Sequence, residues 1–175
     1  EVNYDKIFSP FIKMTNIRLL LGFLATEDLE LKQLDVKTTF LHGNIDEDIY
    51  MSQLTGFMMT GEQGHLVCKL KKSLYGLNQA TCMWYQKFDT YIRQLSYNRS
   101  DSNPYMYIQQ LAYESRIYLI LYVDDMLIVG SNQIEIRRLN QSLHDKFLMK
   151  EIRQARHILG MRIEQNWMTK TLRLS

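Results

Sequence analysis

The stretch Ile117-Tyr118-Leu119-Ile120-Leu121-Tyr122-Val123-Asp124-Asp125-Met126-Leu127-Ile128-Val129-Gly130 sets seven apolar or aromatic residues ahead of two adjacent aspartates, with four apolar residues and a glycine behind them. Each flank is long enough for a strand and too short to span a membrane. The pattern predicts a buried β-hairpin with Asp124 and Asp125 at its tip. Two carboxylates side by side repel, and burying either one unpaired is costly. Tips of this kind ordinarily carry Asn-Gly or Asp-Gly, which accept positive φ. A divalent cation would relieve the repulsion and account for the pair; the plain alternative is a solvated turn with two acidic residues.

The surrounding chain has 175 residues, 46% hydrophobic and 23% charged, enough for one domain with a core and in the ordinary globular range. A net charge of +2 excludes a basic footprint over the whole chain, so any nucleic-acid contact falls to local patches. Cys68 and Cys82 lack C-x-x-C spacing, and His42, His65, His144 and His157 make no H-x-x-x-H pair. That pattern argues against zinc and against a disulfide framework. Without a recognisable signal peptide or membrane span, a reducing intracellular setting is the default expectation. The chain starts on Glu1 and stops on strand-like Thr171–Ser175, and reads as a segment of something longer.

Upstream of the hairpin, Glu1–Pro10 is polar and irregular, with Ser9-Pro10 a turn. Ile17, Leu20, Leu21 and Leu24 recur at helical spacing and predict a helix from Thr15, capped by Thr15 or Asn16 and ending near Asp28. Glu30–Val36 is a short strand with Asp35 near its end. The acidic run Asp46-Glu47-Asp48 reads as a solvated loop. Ile49–Gln53 and His65–Leu70 are strand candidates flanking Thr55–Gly64, whose glycines fit neither G-x-G-x-x-G nor a P-loop. Gly76 marks a tight bend or a close backbone approach. Trp84, Phe88, Tyr91, Ile92 and Leu95 form the apolar stripe of a long helix and read as core. Asn98–Pro104 is a polar connection and Tyr105–Gln109 a strand. Past Gly130, Ser131 or Asn132 caps another helix with the stripe Ile136, Leu139, Leu143 and Phe147. Ile158–Glu164 and Thr171–Leu174 are the last strands. No repeat, linker or low-complexity segment marks an internal boundary.

Strand, helix, hairpin, helix at the centre is the split β-α-β order of an α+β, ferredoxin-like antiparallel sheet with helices packed on one face. If the first strand neighbours the hairpin, Asp35 joins Asp124 and Asp125 at one end of the sheet. Three carboxylates without a partner His or Cys suit oxygen-liking Mg²⁺ or Mn²⁺. Two such ions clamp the attacking and leaving oxygens of a phosphoryl displacement. At this level polymerase, cyclase and nuclease all remain open.

Three ordered blocks narrow the choice. Gln33-Leu34-Asp35-Val36-Lys37-Thr38-Thr39-Phe40-Leu41-His42-Gly43, then Val67-Cys68-Lys69-Leu70-Lys71-Lys72-Ser73-Leu74-Tyr75-Gly76-Leu77-Asn78-Gln79-Ala80 with Trp84-Tyr85, then Leu121-Tyr122-Val123-Asp124-Asp125 resemble the reverse transcriptase of Ty1/copia-type long-terminal-repeat retrotransposons. The resemblance runs from about Tyr4 to the C-terminus, with Phe8-Ser9-Pro10 and Ile158-Leu159-Gly160-Met161 as further matches. It implies a reverse-transcriptase palm with part of the fingers over residues 1–175, the N-terminal fingers portion, full thumb and RNase H lying outside. It implies an RNA-directed DNA polymerase, a nucleotidyltransferase using two Mg²⁺ or Mn²⁺ ions. Asp35, Asp124 and Asp125 match the metal-binding, catalytic aspartates, and Phe40 matches the aromatic gate that excludes a 2′-hydroxyl. Tyr75, Gly76, Gln79 and Val123 match nucleotide-pocket positions, and Tyr122 a position near the primer terminus. The partners implied are an RNA or DNA template, a DNA primer, deoxynucleoside triphosphates and the integrase and RNase H of the same polyprotein, with no membrane. Cytoplasmic virus-like particles are the implied location.

Lys69, Lys71, Lys72, Arg153, Arg156 and Arg162 are available for a nucleic-acid backbone, although each alone reads as a solvated charge. Departures from the family pattern cluster at Asn78, Thr81 and Cys82, where it carries Lys, Pro and Arg. Others are Thr38-Thr39 for Asn-Ala, Leu54-Thr55 for Pro-Pro and Ile152-Arg153 for Leu-Gly. They leave one alternative of a different class: a catalytically silent, drifted remnant that keeps the fold and at most binds nucleic acid.

Overall fold

The computed structural model describes residues 14–27, 29–43, 45, 47–59, 61, 65–77, 79–112, 115–152, 157–158, 161–166 and 171–174. In chain order the elements are α1 (Met14–Thr26), β1 (Glu30–Val36), a 3₁₀ turn (Thr39–His42), β2 (Tyr50–Ser52), β3 (Val67–Lys69), α2 (Ala80–Gln94) and β4 (Asn98–Arg99). Then follow β5 (Met106–Gln110), β6 (Arg116–Tyr122), β7 (Asp125–Gly130), α3 (Gln133–Lys146), β8 (Met149–Ile152), β9 (His157–Ile158), β10 (Met161–Asn166) and β11 (Thr171–Leu174). Two compact units result: Thr39–Lys87, and Pro10–Thr38 together with Phe88–Ser175.

The second unit holds a six-stranded sheet in the order β4-β5-β6-β7-β1-β8, antiparallel throughout. Along the chain β1, α2, β6, β7, α3 and β8 come in that order, with β4 and β5 between α2 and β6, while the strands lie as β6-β7-β1-β8. That is the split β-α-β arrangement predicted from element order. Isoleucine, leucine and tyrosine crowd β6, and Ile117, Leu119, Ile120 and Leu121 are all but inaccessible to solvent.

Directly opposed residues of antiparallel strands share a face, and successive residues along a strand alternate. Tyr107, Leu119 and Ile128 therefore form one row, and Ile108, Tyr118 and Val129 a row on the other face. Phe88 of α2 meets the Tyr107 ring edge-on at 5.8 Å between centroids. α3 follows on the same side: the Tyr91 hydroxyl donates to the Ser142 carbonyl at 2.7 Å, and Phe147 packs against both Phe88 and Tyr91. The opposite face receives α1, whose Phe23 ring meets Tyr118 at 5.9 Å. Helices thus cover both faces, not one as predicted; only α2 and α3 of the split β-α-β repeat share a side. Covering both faces is what lets β6 and β7 read as continuous apolar runs rather than alternating ones.

The predicted stripes of α1 (Ile17, Leu20, Leu21 and Leu24) and α3 (Ile136, Leu139, Leu143 and, just after it, Phe147) are buried, as are Trp84, Phe88 and Ile92 on α2, where Tyr91 and Leu95 of the predicted stripe are half-buried. Asn132 is the N-cap of α3, its Oδ1 accepting from the amides of Ile134 and Glu135. Two strands differ from expectation. β4 forms inside the predicted polar connection by pairing with β5, and β8 adds to the free edge of β1. The predicted Ile158–Glu164 strand is two pieces, β9 and β10, in a separate three-stranded sheet with β11.

In the Thr39–Lys87 unit, β2 and β3 make a two-stranded ribbon, with Met51 opposite Cys68. Trp84 is 1% exposed there, in agreement with its reading as core. The Lys87 ammonium donates to the His42 carbonyl at 2.7 Å. The ribbon and its loops leave Phe57, Met58, Met59, Leu66 and Val67 exposed.

Because Phe88 is fully buried between Tyr107 and Phe147, Phe88→Ala is expected to cost about 3–5 kcal/mol of unfolding free energy. Urea titration followed by circular dichroism checks it.

Candidate active site

Strand pairing alone brings the candidate carboxylates together. β1 lies antiparallel to β7 with Asp35 directly opposite Asp125. On the far side of β7, β6 sets Tyr122 opposite Asp125; on the far side of β1, β8 sets Lys150 opposite Asp35. Lys150, Asp35, Asp125 and Tyr122 therefore make one cross-strand row on one face, at the end of the sheet. Directly opposed side chains on such a row start ~5 Å apart at their Cβ atoms.

Asp124 comes from the turn beside this row. The turn consists of Val123 and Asp124, with Asp125 already the first residue of β7, so the hairpin tip is one residue earlier than predicted. The backbone amide of Val36 donates to the Asp124 carbonyl at 2.9 Å and ties the turn to the end of β1. Val123 has a φ of +56°. Two-residue hairpin turns favour glycine at such a position. A β-branched residue there costs about 1–2 kcal/mol in backbone strain.

Asp125 is half-buried, and burial pushes its carboxyl above the ordinary value. A hydrogen bond from the Gln33 side chain opposes that shift, while the charges of Asp124 and Asp35 add to it. The Gln33 Nε2 donates to Asp125 Oδ1 at 3.1 Å. Gln33 sits two residues before Asp35, on the same face and one row further into the sheet, and is 3% exposed.

The oxygen-only donor set and the mutual repulsion felt at Asp125 fit a hard divalent cation in kind. Among the described residues no three His, Cys, Asp or Glu side chains are gathered closely enough to hold an ion as they stand. What the fold supplies is adjacency: Asp35 and Asp125 on neighbouring strands and Asp124 in the adjoining turn.

The remaining candidates lie in the Thr39–Lys87 unit. Phe40 and Tyr75 meet edge to face with centroids 4.5 Å apart, and Tyr75 is 61% exposed, so neither is plain core. Gly76 has a φ of +94°, a conformation that side chains with a Cβ rarely adopt. Gln79 lies just before α2 and its amide is 3.4 Å from a Glu47 carboxylate oxygen. The acidic run behaves as the predicted solvated loop as far as it is described, with Asp48 paired to Lys69. Arg162 pairs with Glu164. Arg153, Arg156, Asn78 and Asp46 lie outside the described residues.

Two residues at this end of the sheet, Lys150 in the row and Gln33 in the next one, were missed from sequence. Lys150 stands out only once β8 is seen to pair with β1, and β8 is four residues long. Gln33 looked like one polar position in an imperfect strand; its i, i+2 relation to Asp35 was the available signal.

The family model described as reverse transcriptase (RNA-dependent DNA polymerase) matches residues 1–175, the whole chain. The chain is 47% identical over 99% of its length to the retrovirus-related Pol polyprotein from transposon TNT 1-94 of Nicotiana tabacum, and covers 13% of that protein. It is 35% identical over 91% of its length to the Pol polyprotein from transposon RE2 of Arabidopsis thaliana, covering 11% of it. Against the transposon Ty1-DR4 Gag-Pol polyprotein of Saccharomyces cerevisiae it is 26% identical over 79% of its length, covering 8%. No solved structure matches the chain.

Since the native Asp125 holds its proton to higher pH than the unfolded chain does, its contribution favours the fold at low pH. That contribution is lost as pH rises from the ordinary carboxylate value through the raised native one. Asp125→Asn is therefore expected to melt higher than the parent at pH 7, with the difference closing below pH ~4. Paired thermal melts across that range check the sign.

Proposed function

We infer, from the premise that this chain belongs to the reverse transcriptase (RNA-dependent DNA polymerase) family and is a Ty1/copia-type domain of a Pol polyprotein, that the carboxylate row is a nucleotidyl-transfer centre. The observation that carries this reading is the Asp35–Asp125 register with Asp124 in the adjoining turn. On this reading the unit containing the row is the palm and the Thr39–Lys87 unit belongs to the fingers.

The reaction joins the 3′-hydroxyl oxygen of a DNA primer to the α-phosphorus of a deoxynucleoside triphosphate and breaks the bond to pyrophosphate. Asp35, Asp124 and Asp125 would hold two Mg²⁺ or Mn²⁺ ions, which when bound lower the hydroxyl's pKa and neutralise the triphosphate. The chain's own contribution is placement. β1 and β7 fix two carboxylates on one face, and the strained turn holds the third beside them. Lys150, opposite Asp35, offers a positive charge to phosphate oxygens. Tyr122 closes the row on the side where the primer terminus is assigned. In the other unit, Phe40 backed by the Tyr75 ring is assigned to the sugar, where a flat ring excludes a 2′-hydroxyl. Gly76, Gln79 and Val123 complete the nucleotide assignment, and template, primer and the other Pol domains are the partners. Base pairing supplies the sequence selection; the protein reads backbone.

The test is primer extension on an RNA template in Mg²⁺ by this sequence within its full Pol reading frame. Extension is expected, with Asp124→Asn lowering it by at least about a thousandfold, the scale on which loss of charge stabilisation at a reacting centre is felt. Template–primer binding without any extension by the parent would instead favour the silent remnant, to which the substitutions at Thr81 and Cys82 point.

A further inference from the structure

The polar side chain of Gln33 is buried within the sheet, 3% exposed. A buried primary amide is retained at a cost unless it hydrogen-bonds. Its Nε2 donates to Asp125 Oδ1 at 3.1 Å. The register makes this contact available to Gln33 alone among the β1 residues facing that way. Asp35 stands opposite Asp125, Gln33 lies diagonally behind it, and Leu31 is a further step along. Gln33 sits on a central strand, paired on both sides, with Leu127 opposite it on β7 and Ile152 opposite it on β8. A side chain so enclosed has few rotamers, so its donor is a fixed point rather than a mobile one. Held by one oxygen, the Asp125 carboxylate has its rotation about Cβ–Cγ restricted, and its second oxygen is aimed by the same contact.

We propose that Gln33 is a positioning residue for the metal site: it orients the Asp125 carboxylate, by the hydrogen bond to Oδ1, for ligation of a divalent cation. The inference rests on the metal reading of the row and adds a residue to it. Partners behind a metal ligand commonly carry tenfold or more in affinity. An amide is suited to the task because it donates without bringing a charge, so it orients the carboxylate and leaves the negative charge for the ion. A cation such as Lys or Arg at this position would compete with the metal for Asp125.

The probe is Mn²⁺ itself, titrated into the chain and followed by the electron paramagnetic resonance of the free ion. The set is the parent, Gln33→Leu, Asp125→Asn and the double variant. The parent is expected to bind Mn²⁺ through Asp125, and Gln33→Leu to bind about tenfold more weakly. In the Asp125→Asn background the same Gln33 change is expected to make no further difference, which a merely structural role would not produce. Thermal melts accompany each protein, and Gln33→Met replaces Gln33→Leu if the latter does not fold. Asp125-dependent Mn²⁺ binding that both Gln33 variants leave intact overturns this proposal alone. Absence of Asp125-dependent binding in the parent overturns the metal reading and the proposal with it.

Discussion

The pairing of β1 with β7 is the constraint on which the rest of this structure depends. Its register is held by the face turned toward α2 and α3: Leu34 opposite Met126, with Val36 and Ile128 on the same side, all 2% exposed or less. Slipping either strand by one residue would exchange these side chains with Gln33 and Asp35 of the other face. It would also carry Asp35 to the face that α2 and α3 cover, where an unpaired carboxylate is expensive. The apolar face thus selects the register, and the register delivers Asp35 and Asp125 to the same row on the other face. Packing on one side of the sheet positions the carboxylates on the other.

What that row gathers is locally unfavourable. Burial and two neighbouring charges hold the Asp125 carboxyl above its ordinary value, against the opposing amide of Gln33. Val123 takes a backbone conformation that suits glycine. Such features persist only where surrounding structure over-determines them. Here the surroundings are β6 and β7, whose apolar residues are almost wholly inaccessible to solvent. Lys150 lies across from Asp35 on the edge strand. A cation bound among the carboxylates would remove the repulsion that the isolated chain bears. The carboxylates at this end of the sheet are thus held together at a cost in stability.

The division into two units left no trace in composition. The chain passes from one unit to the other between Thr38 and Thr39, directly after a strand, and again between Lys87 and Phe88, inside α2. Neither crossing is a linker. A continuous helix with one apolar stripe, Trp84 to Leu95, gives no reason to place a boundary within it. The smaller unit also carries a high share of exposed apolar side chains, from Leu54 through Val67. The chain spans only about an eighth of the tobacco and Arabidopsis polyproteins it resembles, 13% and 11%.

Local periodicity settled much from the sequence alone. The stripes of all three helices, the strand Glu30–Val36, the β6–β7 hairpin and the Asn132 cap each follow from residues within a few positions of one another. The three ordered motifs likewise named the family that the whole chain matches. Tertiary structure decided what no local window contains. It chose the neighbours of β1, recruited the short strand β8 and with it Lys150, and set α1 against the face opposite α2. It also moved the hairpin tip to Val123 and Asp124 and aimed Gln33 at Asp125. The reason is physical. A helix stripe or a strand's alternation is written in residues that share one element. Which strands pair, and in what register, is settled by burial and hydrogen bonding between segments some ninety residues apart, Gln33 and Asp125 among them.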